Sequence, residues 1–167
     1  MTRLCMSRLG SEGSAMVEMA ALMPFLLILG CGVFEFGAFF YQYQMIEAGV
    51  RDAARYLARV SDPANSTAPC ASAVLTAKEA SAKDIAVMGV IGGTTKRVSW
   101  WSQSDITISY RTDANPGYAL YRGPNPITIV HIATTPQYPG VGFLSFLGLG
   151  SQITFNLEHE ERCIGSG

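Results

Sequence analysis

From Met19 to Phe34 the chain carries only apolar or small residues, and Phe36 to Tyr41 continue the run past one acid, Glu35. Read as helix, positions 19–40 are about 33 Å long, enough for a hydrocarbon core of about 30 Å. Phe39, Phe40, Tyr41 and Tyr43 then form the aromatic belt expected where such a helix leaves lipid. Gln42 to Val60 contains no proline, and its one glycine is Gly49, so the helix continues into the polar phase. Ser14 to Val60 makes a single rod about 70 Å long. Met45, Ile46, Val50, Ala53, Ala54 and Leu57 give it an apolar face. Glu47 and Arg51 form an i,i+4 pair, and Arg51, Arg55 and Arg59 form a basic stripe. Such a stripe is most often a solvated helix face; its sharper reading is a lateral contact with acidic residues of neighbouring subunits or with lipid headgroups. Ser61-Asp62-Pro63 ends the rod, because proline bars the residue before it from helical geometry.

The pattern changes after position 60. Pro63 to Pro69 reads as a loop; its Asn65-Ser66-Thr67 sequon has meaning only in a eukaryotic secretory route. Ala71 to Ile91 has apolar residues near helical spacing (Val74, Ala77, Ile85, Met88) and predicts a second helix stopping at Gly92-Gly93. Arg97 to Trp101 and Asp105 to Arg111 predict two strands joined as a hairpin by Ser102-Gln103-Ser104. Asp113 to Pro126 is turn-rich, Ile127 to Ala133 is a β-branched strand, and Ser151 to Glu158 alternates as a half-buried final strand. Tyr138 to Gly150 is apolar and glycine-rich: a plug for the sheet's core, or an exposed tip touching membrane or a partner. The expected fold is α+β, with a long membrane and amphipathic helix, a second helix and a small antiparallel sheet. The divisions are 1–13 as leader, 14–60 as helix and 61–167 as an extracytoplasmic head.

Composition adds modest constraints. Mean hydropathy is +0.21 and net charge is −1, so there is no basic footprint for nucleic acid. Of four cysteines, Cys5 lies in the leader and Cys31 in the apolar run. Cys70 and Cys163 lie in the polar body, with no CxxC and no histidine at metal spacing. Outside the cytosol these two can pair; the bridge would close nearly the whole head, worth roughly 4–5 kcal/mol in the loop-entropy model.

The N-terminal run admits four readings. A secretory signal peptide is shorter and is followed by a small-x-small cut site. A lipoprotein signal fits Ile28-Leu29-Gly30-Cys31, but Gly32 to Tyr41 stays apolar where such a protein turns polar. A plain signal anchor leaves Glu18 without a purpose. The fourth reading gives it one: cutting after Gly13 makes Ser14 a new N-terminus, with the Glu18 carboxylate one helical turn inward on the same face. In a stack of such helices, Glu18 of one subunit neutralises the ammonium of the next. A pair buried in apolar surroundings sets orientation, since stranding either charge costs several kcal/mol. Arg3 and Arg8 before the span place the N-terminus in the cytoplasm and the body outside.

Gly13-Ser14-Ala15-Met16-Val17-Glu18, the apolar span with Pro24, Glu35-Phe36-Gly37 and then Ala53, Ala54, Arg55, Ala58 and Arg59 together resemble the TadE-like pseudopilins of the tight-adherence (Tad) pilus system. One departure is Met19, where the family usually carries Phe or Tyr. The resemblance covers roughly residues 8–60. It implies a minor pilin or pseudopilin, cut at Gly13/Ser14 by prepilin peptidase, that serves in priming, capping or anchoring an adhesive pilus. The implied partners are other pilins or pseudopilins, the inner-membrane assembly platform and membrane lipid; no cofactor or metal is implied. The implied location is the bacterial inner membrane, single-pass, with the head in the periplasm or in an extracellular pilus. Glu18, Glu35, Arg51, Arg55 and Arg59 are the candidate assembly contacts. Glu35 lies inside the far leaflet, where it either snorkels to the surface or meets a partner helix.

Two other functional classes are open. One is a bitopic protein whose head binds a ligand or partner without any filament. The other is an enzyme, for which only His131 and His159 offer near-neutral bases and no nucleophile or phosphate motif occurs. The expectation is a protein without catalytic residues.

Overall fold

The computed structural model describes residues 11–60, 72–114, 126–140, 142 and 153–164. Its elements are α1 (Ser11–Arg59), α2 (Ser72–Met88), a 3-10 turn (Gln103–Asp105), β1 (Ile106–Asp113), β2 (Ile127–Thr134), β3 (Gln137–Tyr138), β4 (Ile153–Thr154) and β5 (Leu157–Arg162). This is the α+β arrangement expected from the sequence: a long apolar helix, a second helix and a small antiparallel sheet.

α1 is continuous over 49 residues, about 73 Å. It begins upstream of Gly13, so the Gly13–Ser14 bond lies inside the helix. Pro24 is accommodated within it; in a membrane helix the freed carbonyl is re-satisfied by local adjustment. Residues 16–34 are almost wholly exposed, Phe34 at 82%. Beyond them Glu35, Ile46, Val50, Ala53, Ala54, Leu57 and Ala58 are buried at helical spacing. One rod therefore has a bare apolar half and a half packed into the head.

The head is built around that second half. The sheet runs β1-β2-β5, all antiparallel, with Ser109 opposite His131 and His131 opposite Glu160. Ile106, Val130, Ile132, Thr134 and Leu157 turn inward with α1 residues, while Thr107, Ser109, Arg111, Glu158, Glu160 and Arg162 are exposed on the other face. Leu75, Ala82, Ala86 and Val87 are the buried positions of α2. The two helices are in tight contact at Gly49. A Cβ there would overlap the Ala86 carbonyl oxygen and sit 3.0 Å from ring atoms of Trp101. A small pair, β3 with β4, lies beside the main sheet.

Four expectations are corrected. Arg97 to Trp101 is not a strand and forms no hairpin with β1, which pairs with β2. Its side chains explain the difference: Trp101 is fully buried and donates through Nε1 to Thr134 Oγ1 at 3.1 Å. Trp100 Nε1 donates to Gln42 Oε1 at 2.7 Å. Two adjacent tryptophans that both pack inward require a turn, and the Trp101 N–H closes one on the Val98 carbonyl. Second, α2 stops earlier than Gly92-Gly93, at Gly89, where φ is +83° and the amide donates to the Ile85 carbonyl. Third, Ala77 is exposed, and the buried face of α2 is Leu75 with Ala82 and Ala86. Fourth, the final alternating stretch splits into β4 and β5, because Phe155 turns aside to stack with Phe39, Tyr43 and Trp100. The 63–69 loop with its sequon, the turns at 115–125 and most of the apolar 138–150 stretch lie outside the described residues.

Candidate functional site

The candidate site is α1 itself, and its two ends differ. At the start, Gly13 to Glu18 are exposed, and a Cβ on Gly13 would touch nothing within 4 Å. The Ser14 hydroxyl donates to Glu18 Oε1 at 3.4 Å, placing both on one helical face, a turn apart. The span from Gly13 is long and apolar enough to cross a membrane, and its most apolar stretch is not covered by the other described residues. A carboxylate on such a surface has no partner from its own head.

Glu35 behaves in the opposite way. Its neighbours Phe34 and Phe36 are exposed, yet Glu35 is only 4% exposed and its carboxylate is engaged. A Cβ on Gly140 would lie 3.2 Å from Glu35 Oε1, and Gly140 holds φ +77°. The head thus reaches down to Glu35. Burial pushes the Tyr138 phenol above its ordinary value, and the nearby Glu35 carboxylate adds to the rise. The Tyr138 hydroxyl is buried and lacks a hydrogen-bond partner among the described residues. Glu35 is therefore buried against the head of its own chain.

The aromatic residues beyond Glu35 divide in the same way. Phe39 stacks on Tyr138 and Phe155 at 5.1 and 5.6 Å, and Tyr43 on Phe155 at 5.3 Å. Phe40 and Tyr41 are exposed. Half of the expected belt is thus an interface between helix and head. With the head seated from Glu35 onward, the bare stretch 14–34 is about 31 Å long and still matches a bilayer core.

The arginine stripe splits as well. Arg51 is ion-paired with Glu47. Arg55 and Arg59 are exposed and unpaired among the described residues, and the nearby Asp52 is taken by Arg97 at 2.8 Å. At the far end, the Ile164 amide donates to the Ala58 carbonyl at 2.9 Å and the Cys163 amide to the Thr128 carbonyl at 2.8 Å. The chain's tail is thereby tied to the last turn of α1. Cys163 is fully buried and disulfide-bonded. Cys70 lies outside the described residues, and Cys31 is a free thiol on α1.

One arrangement was invisible in the sequence. Ser109 Oγ lies 3.2 Å from His131 Nδ1, and His131 Nε2 lies 3.4 Å from Glu158 Oε2, on three successive strands. The row holds a nucleophile type, a base and an acid. It stands on the exposed face of the sheet, and of its members only Glu158 lines a groove alongside α1, with Glu47 and Arg51. His159, expected in an acidic tail, instead sits in β5, 3.3 Å from Glu161. No group of three or more metal-ligating side chains occurs among the described residues.

The TadE-like protein family model matches residues 13–55. No curated protein and no solved structure gives a match. The matched segment runs from the exposed Gly13 through Glu18 and Glu35 to Arg55. Over residues 13–55 of its long N-terminal helix, the chain is similar to the TadE-like protein family.

Proposed function

We propose that the protein is a minor pilin or pseudopilin of a Tad-type pilus. Prepilin peptidase cuts it between Gly13 and Ser14, and the bare half of α1 is held in the inner membrane with the head outside. The observation that carries this reading is the exposed Ser14–Glu18 pair at the start of an apolar helix that the head leaves uncovered. After cleavage, the Ser14 ammonium and the Glu18 carboxylate become complementary groups for neighbouring helices, in the sense that orients a stack. A head of about a hundred residues suits priming, tip or anchor formation better than repetition along a shaft. Its partners in this reading are other pilins or pseudopilins and the inner-membrane assembly platform, with adherence as the output.

In the same reading the head is non-catalytic, and the Ser109–His131–Glu158 row is structural. Cys163 pairs with Cys70, tying the start of α2 to the end of β5.

Intact-mass measurement of the membrane-purified protein tests the processing step. The expected N-terminus in cells with an active prepilin peptidase is Ser14. An N-terminus at Met1, Thr2 or Cys31 would overturn it.

A further inference from the structure

We propose that the Val90–Ile91 turn at the foot of α2 is a second membrane contact, seated in the headgroup layer of the bilayer that α1 crosses. The inference rests on α1 spanning that bilayer, and on neither cleavage of the leader nor a pilus.

The turn is apolar, exposed and held in shape. Val90 and Ile91 are adjacent β-branched residues, 61% and 57% exposed, just beyond the end of α2. Gly89 before them and Gly92 after them hold φ of +83° and +68°, where a side chain would be strained. The Gly89 amide donates to the Ile85 carbonyl at 2.9 Å, and the Gly92 amide to Asp84 Oδ2 at 2.8 Å. The Gly93 amide closes the turn on the Val90 carbonyl at 3.3 Å. These bonds fix a turn whose two apolar side chains are left in water by their own chain. A lipid surface removes that cost.

The path of α2 brings the turn to the lipid side of the head. Leu75, near the start of α2, shares a cluster with Val60, at the far end of α1. Ala86, near its end, meets Gly49, closer to the apolar half. α2 therefore runs antiparallel to α1, and its last turn points down the rod. The remaining helix and the turn add about 5 Å, which sets Val90 and Ile91 level with about residue 46 of α1.

Lipid reaches close to that level. The 14–34 stretch matches a bilayer core in length, but a core ending there leaves the exposed Phe36, Phe40 and Tyr41 in water. A core over about residues 20–40 is equally long, about 31 Å, and places Tyr41 at the interface, where tyrosine concentrates. The turn then lies about 7 Å above the hydrocarbon, at the outer margin of a headgroup layer about 5–8 Å thick. A tilt of about 20°, acting over the roughly 8–10 Å between packed helix axes, lowers it by about 3 Å into that layer. The Arg97 amide bonds to the Val87 carbonyl at 2.8 Å, which brings the exposed Lys96 back beside the foot of α2. There its ammonium can meet headgroup phosphates. Elsewhere the head reaches down to Glu35 through Gly140, so two separate contacts hold it at one tilt to the membrane.

Reconstitution of the full chain in vesicles of phosphatidylethanolamine and phosphatidylglycerol tests the contact. The probe is a lipid carrying a photoactivatable diazirine next to its headgroup, and the readout is peptide mass mapping. Val90 and Ile91 are expected to be labelled along with the aromatic end of α1. Ile164, exposed but tied to Ala58 at the far end of the head, should stay unlabelled. The V90S/I91S variant should lose labelling across 89–96 and keep it on α1, with unchanged far-UV circular dichroism. Labelling of Phe36 to Tyr41 without Val90 and Ile91 overturns the inference and leaves the membrane-spanning helix standing. Absence of labelling along α1 overturns both. Equal labelling of Ile164 and the turn also overturns the inference, because nothing would then set the turn apart from the far end.

Discussion

Gly140 is seated directly against the carboxylate of Glu35: a Cβ at that position would lie 3.2 Å from Glu35 Oε1, with the backbone at φ +77°. A side chain there strains the backbone and crowds the carboxylate at once. Gly140→Ala should cost about 1–2 kcal/mol from the left-handed backbone alone, read as a lowered denaturation midpoint of the detergent-solubilised protein. Glu35→Ala should loosen the same junction and expose the 137–140 segment to protease, with Glu35→Gln milder. Wild-type stability in both Gly140→Ala and Glu35→Ala would mean that the junction does not hold the head to the helix.

Glu18→Ala should leave membrane insertion and head stability unchanged, because among the described residues Glu18 contacts only the Ser14 hydroxyl. In the proposed role it should block incorporation into the pilus. Fractionating sheared pili and membranes from cells carrying the variant separates these effects. Normal incorporation would argue for a plain anchor.

Gly49 is the point where α1 meets α2 and Trp101, with no room for a methyl group. Gly49→Ala should lower stability by about 1–3 kcal/mol through overpacking, despite the better helix propensity of alanine. Trp101→Ala, at a fully buried site, should cost about 3–5 kcal/mol. Chemical denaturation of the two variants gives both values. A stabilised Gly49→Ala would show the helices to be further apart.

Alkaline pH should destabilise the head. Burial raises the Tyr110 phenol, which also donates to Glu79 Oε1 at 2.9 Å, and Tyr138 is raised by burial and by Glu35. The folded chain then holds protons that the unfolded chain, titrating near pH 10, has lost. Their contribution is fully present below about pH 10 and disappears as pH rises through the folded values. Urea midpoints between pH 8 and pH 11 should fall, and Tyr110→Phe should flatten the decline. An unchanged decline in that variant would assign it to other groups.

Breaking the proposed Cys70–Cys163 bridge by Cys70→Ser should cost roughly 4–5 kcal/mol in the loop-entropy model. Peptide mapping without reduction should recover the two cysteines in one cross-linked fragment. Recovery of Cys163 linked to any other cysteine would refute the pairing.

The sequence by itself determined what depends on local pattern. Apolar run length set the membrane-length helix, the absence of proline after Gln42 set its continuation, and β-branched alternation set β1 and β2. The Gly13–Glu18 spacing was legible because one helical turn fixes which side chains share a face. Tertiary structure decided what depends on which surfaces meet. Nothing local distinguishes Glu35 from an acid facing lipid, or Phe39 from Phe40; the head arriving from a hundred residues away does. Arg97 to Trp101 carries strand-forming residues, but burying two adjacent tryptophans against one helix overrides propensity and makes a turn. The Ser109–His131–Glu158 row follows from register between strands, which no single segment encodes. Arg55 and Arg59 stand apart from Arg51 for the same reason: Arg97, far along the chain, occupies Asp52.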